Sequence, residues 1–107
     1  MGVDVSWVRV VRPGTGPRRQ TYDERACVVD DAGTLARILE GSTSPMLARA
    51  DPYGSLRLSS SEMVQLVDEL DQVVAATAVD RATLREARDL ALRCRSDPGT
   101  ELHLDGD

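Results

Sequence analysis

The feature that most constrains this chain is a change in apolar period along it. Met63, Leu66, Val67, Leu70, Val73 and Val74 recur every three or four residues, the spacing that lines one side of an α-helix. Ser59 and Glu62 stand just ahead of them at capping-box spacing, where each can satisfy a backbone N–H of the first turn. A second helix follows. Asp80 is placed to cap it, Leu84, Ala87, Ala91 and Cys94 form one stripe, Leu90 and Leu92 widen that stripe, and the helix stops before Asp97-Pro98-Gly99.

Both ends of the chain instead alternate with a period of two. Val3-Asp4-Val5-Ser6-Trp7 alternates and Val8-Arg9-Val10-Val11 continues with the phase blurred, which predicts a strand over 3–11, bulged near Trp7. Pro13-Gly14-Thr15-Gly16-Pro17 is the strongest breaker cluster and predicts a hairpin loop, followed by a strand that ends at Cys27-Val28-Val29. Thr100-Glu101-Leu102-His103-Leu104 predicts the last strand.

In the middle, Asp30 or Asp31 can cap a short helix through Leu35, Ala36, Ile38 and Leu39, with Gly41 as the left-handed residue that ends it. Residues 46–50 and 55–58 read as two short strands about the turn Asp51-Pro52-Tyr53-Gly54. The order β, β, α, β, β, α, α, β predicts an α+β fold: an antiparallel or mixed sheet of about five strands, three helices packed on one face, and the other face partly open. A length of 107 residues predicts a single domain over 1–107.

That core must be aliphatic, because Trp7, Tyr22 and Tyr53 are the only large rings and there is no Phe. All 13 basic residues are Arg, Asn is absent and Ile38 is the one Ile. This bias against A/T-rich codons is what a GC-rich genome produces, and it predicts a bacterial, actinomycete-like source. A net charge of −5 disfavours nucleic acid, whose phosphates need a basic surface, and it disfavours an anionic membrane for the same reason. No apolar run is long enough to span a bilayer and no signal pattern opens the sequence, so the expected location is cytoplasmic. Cys27 and Cys94 are far apart and lack CxxC spacing; they read as two buried free thiols.

Four groups of residues are candidates for function. If residues 100–105 are extended, Glu101, His103 and Asp105 share a face and set the only imidazole between two carboxylates, the residue types of acid–base chemistry. Neighbours at i and i+2 on a strand are roughly 6.5 to 7 Å apart, however, too far to assure a direct hydrogen bond, and a solvated sheet face gives the same pattern. Arg81, Arg85 and Arg88 form a basic stripe on the last helix, while the preceding helix carries Glu62, Asp68, Glu69 and Asp71 with no Arg. The stripe reads either as a docking face for an acidic partner or as a solvated face that complements its acidic neighbour. Asp51 and Tyr53 stand on a predicted exposed turn, where a Tyr is an economical binding anchor. Trp7 is a core residue, or a contact residue if its side of the sheet is open.

Ala50-Asp51-Pro52-Tyr53-Gly54, the capped helix that follows, Arg93-Cys94 and the terminal Gly106-Asp107 come in the same order as in a group of small bacterial, actinomycete-like proteins that this chain resembles. Val5-Ser6-Trp7-Val8 and Tyr22-Asp23-Glu24 extend the likeness over nearly the whole chain. Those proteins carry a DPYG turn after an aliphatic strand and end on Gly-Asp. Where they have an Asp after the Gly and an Asn a few residues on, this chain has Ser55 and Ser59. The group has no established function, so the resemblance implies no role for any residue.

These features predict a small non-catalytic binding protein, either an interaction partner of the immunity or antitoxin kind or a homodimer. Tyr53, Asp51, Trp7, Arg81, Arg85, Arg88 and His103 are its candidate contacts. The alternatives are a small-molecule-binding accessory or resistance protein of specialised metabolism, using the open sheet face and the turn, and an enzyme built on Glu101, His103 and Asp105. With one His and two distant Cys, neither a metal nor a cofactor is expected.

Overall fold

A computed structural model describes residues 2–11, 21–51, 53–76 and 82–106. Its elements are β1 (Val3–Val11), β2 (Thr21–Val28), α1 (Thr34–Glu40), a 3-10 turn (Leu47–Arg49), β3 (Ser55–Ser59), a second 3-10 turn (Ser60–Glu62), α2 (Met63–Ala76), α3 (Ala82–Arg95) and β4 (Thr100–Gly106). The strands make one antiparallel sheet in the order β2-β1-β4-β3. The expected 13–17 hairpin loop, Pro52, and Asp80 with its cap lie outside the described residues.

Because strand side chains alternate, each strand gives one apolar row to the helices. Val5 is in register with Val28 on one side and Leu104 on the other, and Leu104 is in register with Leu56. The three helices close over this face with Leu35 and Leu39, with Met63, Leu66 and Leu70, and with Leu84, Leu90 and Cys94. Leu58 and Leu84 are fully buried, so aliphatic packing does the work that rings do in most cores. Among the described residues, no helix is long and apolar enough to cross a membrane.

α2 begins where the sequence places it. Ser59 and Glu62 form the capping box, in which a carboxylate oxygen of Glu62 accepts the Ser59 backbone N–H at 2.9 Å. That bond, together with the Arg49 guanidinium, outweighs partial burial and holds the Glu62 carboxyl below its usual range.

The sheet has four strands rather than about five because residues 46–50 do not extend. The Glu69 carboxylate, on α2 and 5% exposed, accepts the backbone N–H of Met46 at 3.0 Å and of Leu47 at 2.9 Å. Gln65 steadies it at 2.8 Å. Those bonds hold the segment as a 3-10 turn at the side of α2, and β3 becomes an edge strand.

Asp30 does a comparable job at the other end of the core. It is buried, and its carboxylate accepts the N–H groups of Val3 at 3.1 Å, Leu35 at 3.1 Å and Ala36 at 2.9 Å. Its own N–H donates to Asp4 at 3.0 Å. Asp30 therefore supplies the cap of α1, and Asp31 is exposed. The left-handed glycine of this region is Gly33, with φ 70°, at the start of α1; Gly41, with φ −92°, ends the helix without that conformation. Gly2 must be glycine for a different reason: a Cβ there would stand 2.3 Å from the Asp30 carbonyl oxygen.

Replacing Asp30 with Ala removes three charge-assisted bonds and strands buried amides, so it should cost about 3 kcal/mol or more. Urea unfolding reads this as a lower midpoint at unchanged slope, and Asp30→Asn, which keeps an acceptor oxygen, should recover part of the loss. An Asp30→Ala protein as stable as the wild type would contradict this role.

Candidate functional site: the helix-free sheet face

The same alternation that sends Val3, Val5, Leu102 and Leu104 to the helices sends Asp4, Ser6, Val8, Glu101, His103 and Asp105 to the other face, which no described helix covers. In β2 the register slips. Trp7 pairs with Ala26 but Val8 pairs with Glu24, so Arg25 is an extra residue. The irregularity falls at Trp7/Val8, where the blurred phase predicts it, but the extra residue is on β2 rather than β1. Its consequence is positional: beyond it, Glu24 and Tyr22 share the face of Val8 and Val10 instead of turning toward the helices.

One register row crosses this face with a polar side chain from each strand. Ser6 pairs with Cys27 on β2 and with His103 on β4, and His103 pairs with Arg57 on β3. His103 Nε2 lies 2.9 Å from a carboxylate oxygen of Glu101. The Glu side chain is long enough to close the backbone spacing that made a direct bond unassured. A carboxylate only accepts at neutral pH, so Nε2 carries the proton of this bond.

The Tyr22 ring meets the His103 ring edge-on, with centroids 4.7 Å apart. Arg57 donates to the Tyr22 hydroxyl at 3.1 Å, with its guanidinium 5.3 Å from the ring centroid. This contact reaches from β2 across β1 to β4 and β3. Val8, on the strand it crosses, is 4% exposed although it lies outside the core cluster. His103 itself is buried, with 11% of its side chain accessible. The cluster thus joins side chains of β2, β4 and β3 across the sheet.

Glu101 and His103 are brought together as the sequence suggests; Asp105 is exposed and makes no ion pair with His103. Trp7 faces the helices and packs against the core, so it does not belong to the open face. Its indole N–H is buried without a hydrogen-bond partner among the described residues. Tyr53 is exposed as expected, at 66%, and the Asp51 carboxylate is used within the turn, accepting the Tyr53 N–H at 2.8 Å. Arg88 is ion-paired to Asp71 of α2, whose carboxylate keeps the guanidinium protonated to still higher pH than usual. Arg85 is exposed, and Arg81 lies outside the described residues.

Sequence reasoning missed Tyr22, Arg57, Ser6 and Cys27. Only the register places them on the His103 face, and for Tyr22 that register depends on a one-residue bulge. Cys27 also departs from expectation, being exposed, with the Ser6 hydroxyl 3.5 Å from its sulfur. Cys94 is fully buried, and burial pushes its thiol up, against a smaller opposing effect of its bond with Thr100.

Among the described residues, no three His, Cys, Asp or Glu side chains gather closely enough to hold a metal ion. The fold and the site define an α+β protein in which, among the described residues, one sheet face is covered by helices and the other is not. Comparison with protein-family models, curated proteins and solved structures gave no match.

The two thiols should differ sharply in reactivity. A water-soluble alkylating reagent at neutral pH should modify Cys27 in the folded protein and reach Cys94 only after denaturation, as read by peptide mass. Equal labelling of both in the native state would contradict the burial described.

Proposed function

We propose that this is a non-catalytic binding protein that holds a protein partner on the helix-free face of its sheet. The observation that carries the reading is the Tyr22–His103–Arg57 cluster. Tyr and Arg are the residue types on which binding energy concentrates at protein interfaces. Here they already contact each other and His103, which reduces the side-chain freedom that binding would remove.

Charge supports a basic partner. Among the described residues, Asp4, Glu24, Glu101 and Asp105 share the face with the Arg57 guanidinium, and the whole chain carries −5. A second copy docking face to face here would set these carboxylates against one another, whereas a basic surface would be drawn to them. An acidic inhibitor of the immunity or antitoxin kind fits that description.

The Glu101–His103 contact favours a second reading, general-base catalysis by an oriented imidazole. It ranks lower because the Ser6 hydroxyl in the same row bonds to Cys27 rather than to His103.

The test is to recover the protein gently from its own cells and weigh it by native mass spectrometry, as wild type and as Tyr22→Ala, Arg57→Ala and Arg85→Glu. A co-recovered basic protein should be lost, or bound at least about tenfold more weakly, in the first two variants and retained in the third. A partner held equally by Tyr22→Ala and Arg57→Ala, or lost only with Arg85→Glu, would overturn the assignment.

A further inference from the structure

The two edges of the sheet are not alike. β2 is guarded: Arg25 bulges it, and Asp23, Glu24 and Arg25 stand exposed along it, features that discourage pairing with another chain. β3 runs in unbroken register with β4, and its one charged side chain, Arg57, turns inward over the sheet to the Tyr22 hydroxyl at 3.1 Å.

The ladders fix where the backbone groups of β3 point. Val10 N–H donates to the Gly99 carbonyl at 3.0 Å, and Gly106 N–H donates to the Gly54 carbonyl at 2.7 Å. Directions alternate along an antiparallel ladder. Leu102 and Leu104 therefore turn their backbone groups toward β3, Leu56 and Leu58 answer them, and Ser55, Arg57 and Ser59 turn theirs away from the sheet. The Ser59 N–H is taken by Glu62 at 2.9 Å. Among the described residues, nothing takes the N–H and C=O groups of Ser55 and Arg57.

We propose that this edge pairs, antiparallel, with the same edge of a second copy of the chain, about a two-fold axis at Leu56. That register uses what the edge offers: Ser55 and the partner subunit's Arg57 exchange N–H and C=O bonds, and symmetry repeats the exchange. An axis at Arg57 would instead set two arginines directly opposite each other and match Ser55 to a Ser59 whose N–H is already committed. At the Leu56 axis the two copies of this residue, each packed against its own core, meet as a non-hydrogen-bonded pair, where side chains approach most closely.

Other features of the edge suit its own copy. A small serine stands opposite each Arg57, and the inward turn of the guanidinium keeps the two cations apart. Tyr53, 66% exposed, comes alongside the partner subunit's Ser59. The axis is perpendicular to the sheet, so both helix layers lie on one side and the two helix-free faces run on as one surface. Their carboxylates are side by side rather than opposed.

Sedimentation equilibrium on wild type and Ser55→Pro tests the pairing. Proline is tolerated at the first residue of an edge strand whose N–H faces away from the sheet. Ser55→Pro removes one interchain donor from each copy and leaves the ladder with β4 in place, so it should weaken the dimer about tenfold or more. Leu56→Cys tests the register. Cα atoms across a non-hydrogen-bonded pair are about 4.5 Å apart, within reach of a disulfide. Mild oxidation of Leu56→Cys should therefore give a dimer linked through position 56, as read by peptide mass, while Ser55→Cys should not link to itself. A wild-type protein that stays monomeric to millimolar concentration would overturn the proposal. So would a dimer indifferent to Ser55→Pro, or a Leu56→Cys protein that forms no link at position 56.

Discussion

The buried Asp30 carboxylate is the interaction on which the rest of the structure most depends. It meets the first residue of β1 and the first turn of α1, while its backbone N–H reaches the Asp4 side chain and its carbonyl presses on Gly2. A buried charge is costly unless its hydrogen-bonding capacity is met. Here backbone amides meet it, and among the described residues it forms no ion pair. Glu69 repeats the device for the 46–50 segment. In a core of Leu, Val and Ala, these two carboxylates fix how the irregular segments enter and leave the layer of helices, a task that large rings often share in other cores.

With the helices settled on one side, the sheet's second face is defined by elimination, and its chemistry follows from register. β1 and β4 alternate without interruption, so Ser6, Val8, Glu101 and His103 are bound to lie there. Tyr22 joins them only because Arg25 is extra. A bulge that would otherwise be a local irregularity near an edge thus decides which face receives one of the chain's two tyrosines, and through it whether Arg57 and His103 are bridged.

The elements with a strong period were legible in the sequence: β1 over its whole length, the capped α2, the Leu84–Cys94 stripe of α3, and β4 with the Glu101/His103 face. What was not legible depends on partners distant along the chain. Residues 46–50 look like a strand because Met46, Leu47 and Ala50 are apolar, yet a carboxylate more than twenty residues away holds them as a 3-10 turn. Trp7 and Tyr22 are both aromatic residues on strands of uncertain phase; the register sends one to the core and the other to the open face. Backbone spacing alone does not reveal the Glu101–His103 bond, because it is the length of the Glu side chain that closes the gap.

The central claim is that the helix-free face carries a preorganised cluster rather than a loose solvated surface. The most direct measurement is the proton–nitrogen NMR spectrum of the His103 ring, the only imidazole in the chain. The account predicts an observable Nε2–H resonance, slowed in exchange by its bond to Glu101 and lost in Glu101→Ala. A ring whose Nε2 proton exchanges freely with water, or whose spectrum ignores Glu101→Ala, would contradict it.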